Sequence, residues 1–109
     1  MTDTYDVVVV GAGIMGAATA WQLARRGRRV ALIEQFDLGH VRGSSHGAAR
    51  IFRFAYDEPD YVRLAQMALP IWREAEAELG RDLLHLTGGL DFGPPETLGP
   101  VARALDGAA

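Results

Sequence analysis

Three glycines, Gly11, Gly13 and Gly16, followed eighteen residues after the last by Glu34, are the residues whose types and spacing most directly imply chemistry. A Gly-x-Gly-x-x-Gly turn between a strand and a helix suits a pyrophosphate. The first glycine turns the chain, the second has no Cβ to obstruct the phosphates, and the third lets the helix lie close on the strand. The phosphate charge then meets unpaired N–H groups at the positive end of the helix. Glu34, closing the next apolar run, is placed to accept hydrogen bonds from the ribose hydroxyls of an adenosine. Together these residues imply a bound dinucleotide; the spacing alone does not separate a nicotinamide from a flavin cofactor.

A second group of reactive types lies in Gly43-Ser-Ser-His-Gly-Ala-Ala-Arg-Ile-Phe-Arg-Phe-Ala-Tyr56. By residue type alone, His46 is open to being a loop histidine bonded to backbone. Arg50 and Arg53, three apart, are open to facing solvent or pairing with Asp57 and Glu58 on a helical turn. Ser44 and Ser45 lack a base and acid for nucleophilic catalysis, which argues against a hydrolase. His40, His85 and Asp91 show no metal-ligand spacing, so structural roles are expected for them and no metal. The absence of Cys excludes a thiol nucleophile, a Cys-based metal site and disulfides.

The elements that must position these groups follow from the apolar pattern. Val7–Val10 is a continuous β-branched run, expected to be a parallel strand buried on both faces. Ile14 to Arg26 reads as a helix with small residues toward the sheet, ending at Gly27. Arg29 to Ile33 is the returning strand, so residues 1–34 form a βαβ unit. Residues 35–56 carry several glycines and read as a loop, with 50–56 open between a short helix and a strand. From Asp60, the residues Tyr61, Leu64, Ala68, Trp72, Ala75 and Leu79 give one apolar helical stripe stopping at Gly80, in which Pro70 should kink or divide the helix. Leu83–Leu86 and Leu90–Phe92 suggest short strands around Thr87-Gly-Gly89. Glu96 to Leu105 begins another helix, broken off at Gly107.

The 109 residues, 49% hydrophobic, support a core of at most one domain. A net charge of −3 is too small to argue for nucleic acid or an anionic membrane. Arg25, Arg26, Arg28 and Arg29 flank a helix C-terminus, where cations oppose the dipole favourably, so a solvated cap is expected. The apolar stretch from Val7 to Ala24 fits a strand, turn and helix better than a membrane span. The segment before it is acidic where a secretory leader is basic, so a cytoplasmic protein is expected. Nothing in the sequence sets an oligomeric state.

The Gly43–Tyr56 loop, with Glu34-Gln-Phe36 before it and Tyr61-Val-Arg-Leu-Ala65, Trp72 and Thr87-Gly-Gly-Leu-Asp-Phe-Gly93 after it, resembles the monomeric sarcosine oxidase and N-methyltryptophan oxidase branch of the D-amino-acid-oxidase-like flavoproteins. The match covers essentially the whole chain but only about the first quarter to third of a member. The resemblance implies an α/β, Rossmann-like FAD-binding unit: residues 1–109 as an incomplete FAD-binding domain at the N-terminal end of a larger two-domain flavoprotein. Within it, 1–34 would be the βαβ fingerprint, 35–56 a flavin-side loop, and 57–109 a helix with short strands.

It implies FAD, held by Gly11, Gly13, Gly16, Glu34, Ser45, His46 and Arg50. His46 and Arg50 would lie beside the flavin ring and Arg53 would hold the substrate carboxylate, making His46, Arg50 and Arg53 the catalytic set. The types suit those tasks, since a reduced flavin carries negative charge and an Arg fork matches a carboxylate. The implied activity is oxidation of a secondary amino acid such as sarcosine, with O2 as the second substrate. Two family features find no residue here, because the chain has no Lys to assist reaction with O2 and no Cys for covalent flavin attachment. The rival readings are an NAD-dependent dehydrogenase, against which the Gly-Ser-Ser-His-Gly loop argues, and a truncated binding fragment without turnover.

Overall fold

A computed structural model describes residues 3–108. The elements run β1 (Val7–Val10), α1 (Ile14–Arg25), β2 (Val30–Ile33), α2 (Pro59–Leu79) and α3 (Pro95–Ala108). The chain divides into two compact units, one ending at Arg50 and the other beginning at Ile51, so the boundary falls inside the loop expected over 35–56.

In the first unit β1 and β2 pair in parallel, Val7 with Val30 through to Val10 with Ile33. Parallel neighbours need a crossover, and α1 supplies it. The sheet has two strands and α1 packs against both. Burial of β1 on both faces is not observed, because Val8 and Val10 stand 55% and 82% exposed. Residues of a strand alternate between faces, and the face bearing these two is left uncovered among the described residues. The β1 entry is fastened by the Asp6 N–H to the Arg29 carbonyl at 2.8 Å and by the Arg29 N–H to the Asp6 carboxylate at 2.8 Å. Arg29 is thereby a strand-register residue, and its guanidinium donates to the Thr4 hydroxyl at 3.1 Å.

In the second unit α2 and α3 pack together. Pro59 sits in the first turn of α2, where its missing N–H costs nothing, and Gly80 caps the other end. The helix runs undivided through Pro70. Its covered face overlaps the expected stripe only in part: Val62 is fully buried, Ala65 and Glu76 are buried, and Ala68, Trp72 and Ala75 of the stripe are half-buried, whereas Tyr61, Leu64 and Leu79 are exposed. Val62, Ala65, Leu69, Trp72 and Glu76 share a side that meets the expected stripe at Trp72. The helix has apolar residues on more than one face, and contact with α3 selects among them.

The helix expected over 96–105 continues through Gly107 to Ala108. Glycine lowers helix propensity by about 1 kcal/mol, but the Arg63 guanidinium, also bonded to Asp60, donates to the Gly107 carbonyl at 2.8 Å and satisfies an orphan acceptor of the last turn. The strands expected at 83–86 and 90–92 do not form, nor does 50–56 become helix or strand. Extended backbone becomes a strand only through a ladder, and these segments have no pairing neighbour among the described residues.

Candidate functional site

The end of β1 and the start of α1 form one tight turn. Gly11 has φ +93°, a left-handed conformation that suits glycine, and its N–H donates to the Ile33 carbonyl at 2.7 Å, tying the turn to β2. A Cβ on Gly16 would stand 1.8 Å from the Gly11 carbonyl oxygen, so α1 can approach the turn only because position 16 has no side chain. Gly13 is different. A Cβ there would meet the Ser45 hydroxyl at 3.2 Å and no other atom within contact range. Its bareness therefore leaves open the approach to the α1 N-terminus.

That N-terminus lacks a cap from its own sequence. The Ile14 N–H instead donates to the Ser45 hydroxyl at 3.0 Å, across 31 residues, and the Ala12 N–H donates to Glu34 Oε2 at 2.8 Å. The Gly13 and Met15 amides find no acceptor among the described residues. Unpaired amides at a helix start provide the positive end that favours an anion.

Glu34 closes β2 facing this turn. Oε1 accepts the N–H groups of Gln35 at 2.8 Å and Phe36 at 3.1 Å, and His40 Nε2 lies 3.5 Å away. The Ala12 N–H most of all, then those of Phe36 and Gln35, with a smaller contribution from His40, hold its carboxyl below the usual range despite some desolvation. Glu34 is thus anionic at neutral pH and held in one orientation, not a free strand-end carboxylate.

Beside these groups lies a cavity of about 750 Å³, lined by the Gly11–Gly13 turn, Glu34, Phe36, His40, Arg42 and the Ser44–Gly47 loop among others. Gly11, Gly13, Glu34, Ser45 and His46 therefore share one wall system, while Gly16 serves it from behind by setting the helix approach. The helix start, the acid bonded to its turn and the cavity they line fit a dinucleotide's pyrophosphate and ribose.

His46 is a loop histidine bonded to backbone that also lines the cavity. Its Nδ1 lies 2.5 Å from the Gly43 carbonyl. A carbonyl only accepts, so Nδ1 carries the proton and Nε2 is the acceptor of the neutral ring. Arg50 does not line the cavity. Its guanidinium donates to the carbonyls of Ser44 and Ala49, both at 2.7 Å, and to that of His46, gathering the loop around one cation. Arg53 belongs to the second unit, where its guanidinium lies 5.0 Å from the centre of the Tyr56 ring. Neither arginine pairs with Asp57 or Glu58 among the described residues.

Two residues lining the cavity, His40 and Arg42, carried no signal for this role in the sequence. His40 Nε2 comes within 3.5 Å of Oε1 across six positions of irregular loop, and Arg42 places its guanidinium 4.8 Å from the centre of the Phe36 ring. Periodicity cannot reveal such contacts, because a loop has none. No group of three or more potential metal ligands occurs among the described residues, and no described helix is long and apolar enough to cross a membrane.

Comparison with known proteins supplies a family. The profile described as "FAD dependent oxidoreductase" matches residues 6–108. The chain is 44% identical over 109 residues to monomeric sarcosine oxidase of Streptomyces avermitilis, covering 99% of this chain and 28% of that protein. It is 47% identical over 94 residues to human peroxisomal sarcosine oxidase, covering 86% of this chain and 24% of the relative. Among solved structures, the open form of NikD, an unusual amino acid oxidase essential for nikkomycin biosynthesis, superposes with a TM-score of 0.75 at 38% identity, over 97% of this chain and 28% of that one. The chain thus spans about a quarter of the length of the relatives it matches.

Proposed function

Because the chain belongs to the family of FAD-dependent oxidoreductases, we propose that the full-length protein is a flavin oxidase of secondary amino acids, with sarcosine or another N-methyl amino acid as substrate and O2 as electron acceptor. The observation that carries this reading is the cavity at the start of α1, where the glycine turn, Glu34 and the Ser45–His46 loop meet. Gly11, Gly13 and the α1 amides would hold the pyrophosphate, Gly16 would keep the helix in place, and Glu34 would take the adenosine ribose. Ser45 and His46 would stand on the loop side, with Arg50 ordering that loop at the flavin end. Arg53 would orient the substrate carboxylate. When bound, FAD supplies a two-electron acceptor: hydride leaves the carbon next to the amine nitrogen, water hydrolyses the resulting imine, and O2 takes the electrons to give peroxide.

The protein's own part is orientation and charge. A helix start and a fixed carboxylate anchor the cofactor at its adenosine half, and a guanidinium fork limits how an amino acid can lie. The relatives named as sarcosine oxidases and the amino acid oxidase neighbour support the substrate class. The cytoplasm is the proposed location; the human relative is named as peroxisomal, and fractionation with marker enzymes decides between the compartments. The functional test is a visible spectrum of the purified full-length protein followed by peroxide release with sarcosine. Flavin bands and substrate-dependent peroxide are expected. A colourless protein that takes up no FAD would overturn the cofactor reading; a flavoprotein inert toward N-methyl amino acids would overturn the substrate.

A further inference from the structure

The two oxygens of Glu34 are unequally occupied. Oε1 accepts the N–H groups of Gln35 and Phe36 and faces His40 Nε2 at 3.5 Å, while among the described residues Oε2 accepts the Ala12 N–H alone, at 2.8 Å. A carboxylate oxygen offers about two lone-pair sites, so Oε1 is filled and Oε2 keeps one. The state of His40 is fixed by its other nitrogen. Nδ1 accepts the Arg42 N–H at 3.0 Å, so the neutral ring carries its proton on Nε2, the atom that faces Glu34. The ring lies edge to face with Phe36, centroids 4.9 Å apart and planes at 70°, and Phe36 in turn carries the Arg42 guanidinium. Only 14% of the Glu34 side chain and 23% of the His40 side chain are exposed.

We propose that His40 is a positioning residue for nucleotide recognition: it stands against the amide-filled Oε1, closes that edge of the carboxylate to water, and leaves Oε2 as the atom that receives a hydroxyl of the adenosine ribose. Without it, water reaches the Oε1 edge and competes with the amides that hold the carboxylate's orientation. His40 also joins Glu34 to the loop that carries Ser45, whose hydroxyl caps α1, so the carboxylate and the helix start are held by one segment. The assignment rests on the reading of the cavity as the FAD site.

The test is titration of FAD into the full-length apoprotein, followed by flavin fluorescence. His40→Ala should weaken FAD binding about three- to tenfold, the scale of a polar contact to a charged group. His40→Gln, whose amide can still donate toward Glu34, should recover most of that loss. In a Glu34→Gln background, His40→Ala should change affinity by less than about twofold, because the two residues act through one contact. An equal loss in both backgrounds would make His40 a loop support only, and unchanged affinity of His40→Ala and His40→Gln alike would remove it from recognition; either outcome overturns the proposal and leaves the FAD site standing. Failure of the unmodified protein to bind FAD would instead overturn the reading of the cavity, and this assignment with it.

Discussion

A methyl group at residue 16 tests the glycine turn most sharply. Its Cβ would sit 1.8 Å from the Gly11 carbonyl oxygen, and that atom is backbone held by the β2 contact, so it cannot swing aside as a side chain would. Gly16→Ala should destabilise the full-length protein by on the order of 3 kcal/mol and lower its flavin content, read by urea unfolding and by absorbance; a stable, fully loaded variant would mean that α1 does not pack as described. Arg53 makes a different demand. Its only described contact is with the Tyr56 ring, 5.0 Å from guanidinium to centroid, which a flat cation suits better than an ammonium. Arg53→Lys should cost about 1–3 kcal/mol in kcat/KM for sarcosine while FAD binding stays unchanged. Equal kinetics for the two proteins would take Arg53 out of substrate recognition.

Between α2 and the chain that follows, one carboxylate acts as a latch. Glu76 is buried and its Oε1 accepts the N–H groups of Leu83 and Leu84, both at 2.7 Å, while Oε2 pairs with Arg73 at 2.6 Å. The Leu84 N–H first, then Arg73 and the Leu83 N–H, bring its pKa from an ordinary 4.5 down to about 2. A group whose folded pKa is depressed stabilises the fold above its unfolded pKa, so this contribution is full above about 4.5 and is lost as pH falls toward about 2. Glu76→Gln should lower the urea midpoint at pH 7 and flatten its fall across that acid window; an unchanged acid limb would mean that the latch does not hold the segment. The sequence could not reveal this residue, since a Glu in a helix of mixed charge looks solvated and its partners lie in a segment without periodicity. The glycine turn, β1, α1 and β2 were legible because each combines a local pattern with a required neighbour: a β-branched run, a glycine turn, then a helix and a second run. The face of α2 and the strands expected after it were not. Which apolar face is covered depends on α3, and strand pairing depends on a partner that local sequence does not name.

At the scale of the whole polypeptide, what is buried is small beside what is exposed. Val62, Ala65 and Ala104 are the buried apolar side chains among the described residues, all in the second unit, whereas Val8 and Val10 on the sheet and Leu86, Leu90 and Phe92 beyond α2 are open to water. Each large apolar side chain left out of water stabilises a fold by about 1.5–3 kcal/mol, so a 109-residue polypeptide made on its own should be marginal and self-associating, with cooperative unfolding weak or absent. It should bind an apolar dye and elute from a sizing column above its monomer mass of 11.8 kDa. Catalysis should fail for a related reason. On the proposed reading the first unit supplies a cradle for the adenosine half of FAD alone, and oxidation of an amine requires its carbon to be held against the flavin in an enclosed, oriented site. Supplied with FAD and sarcosine, the 109 residues alone should release no peroxide above the rate of free flavin. Many turnovers per chain, in a preparation free of longer oxidase, would show that this cradle and its loop already suffice to orient the substrate.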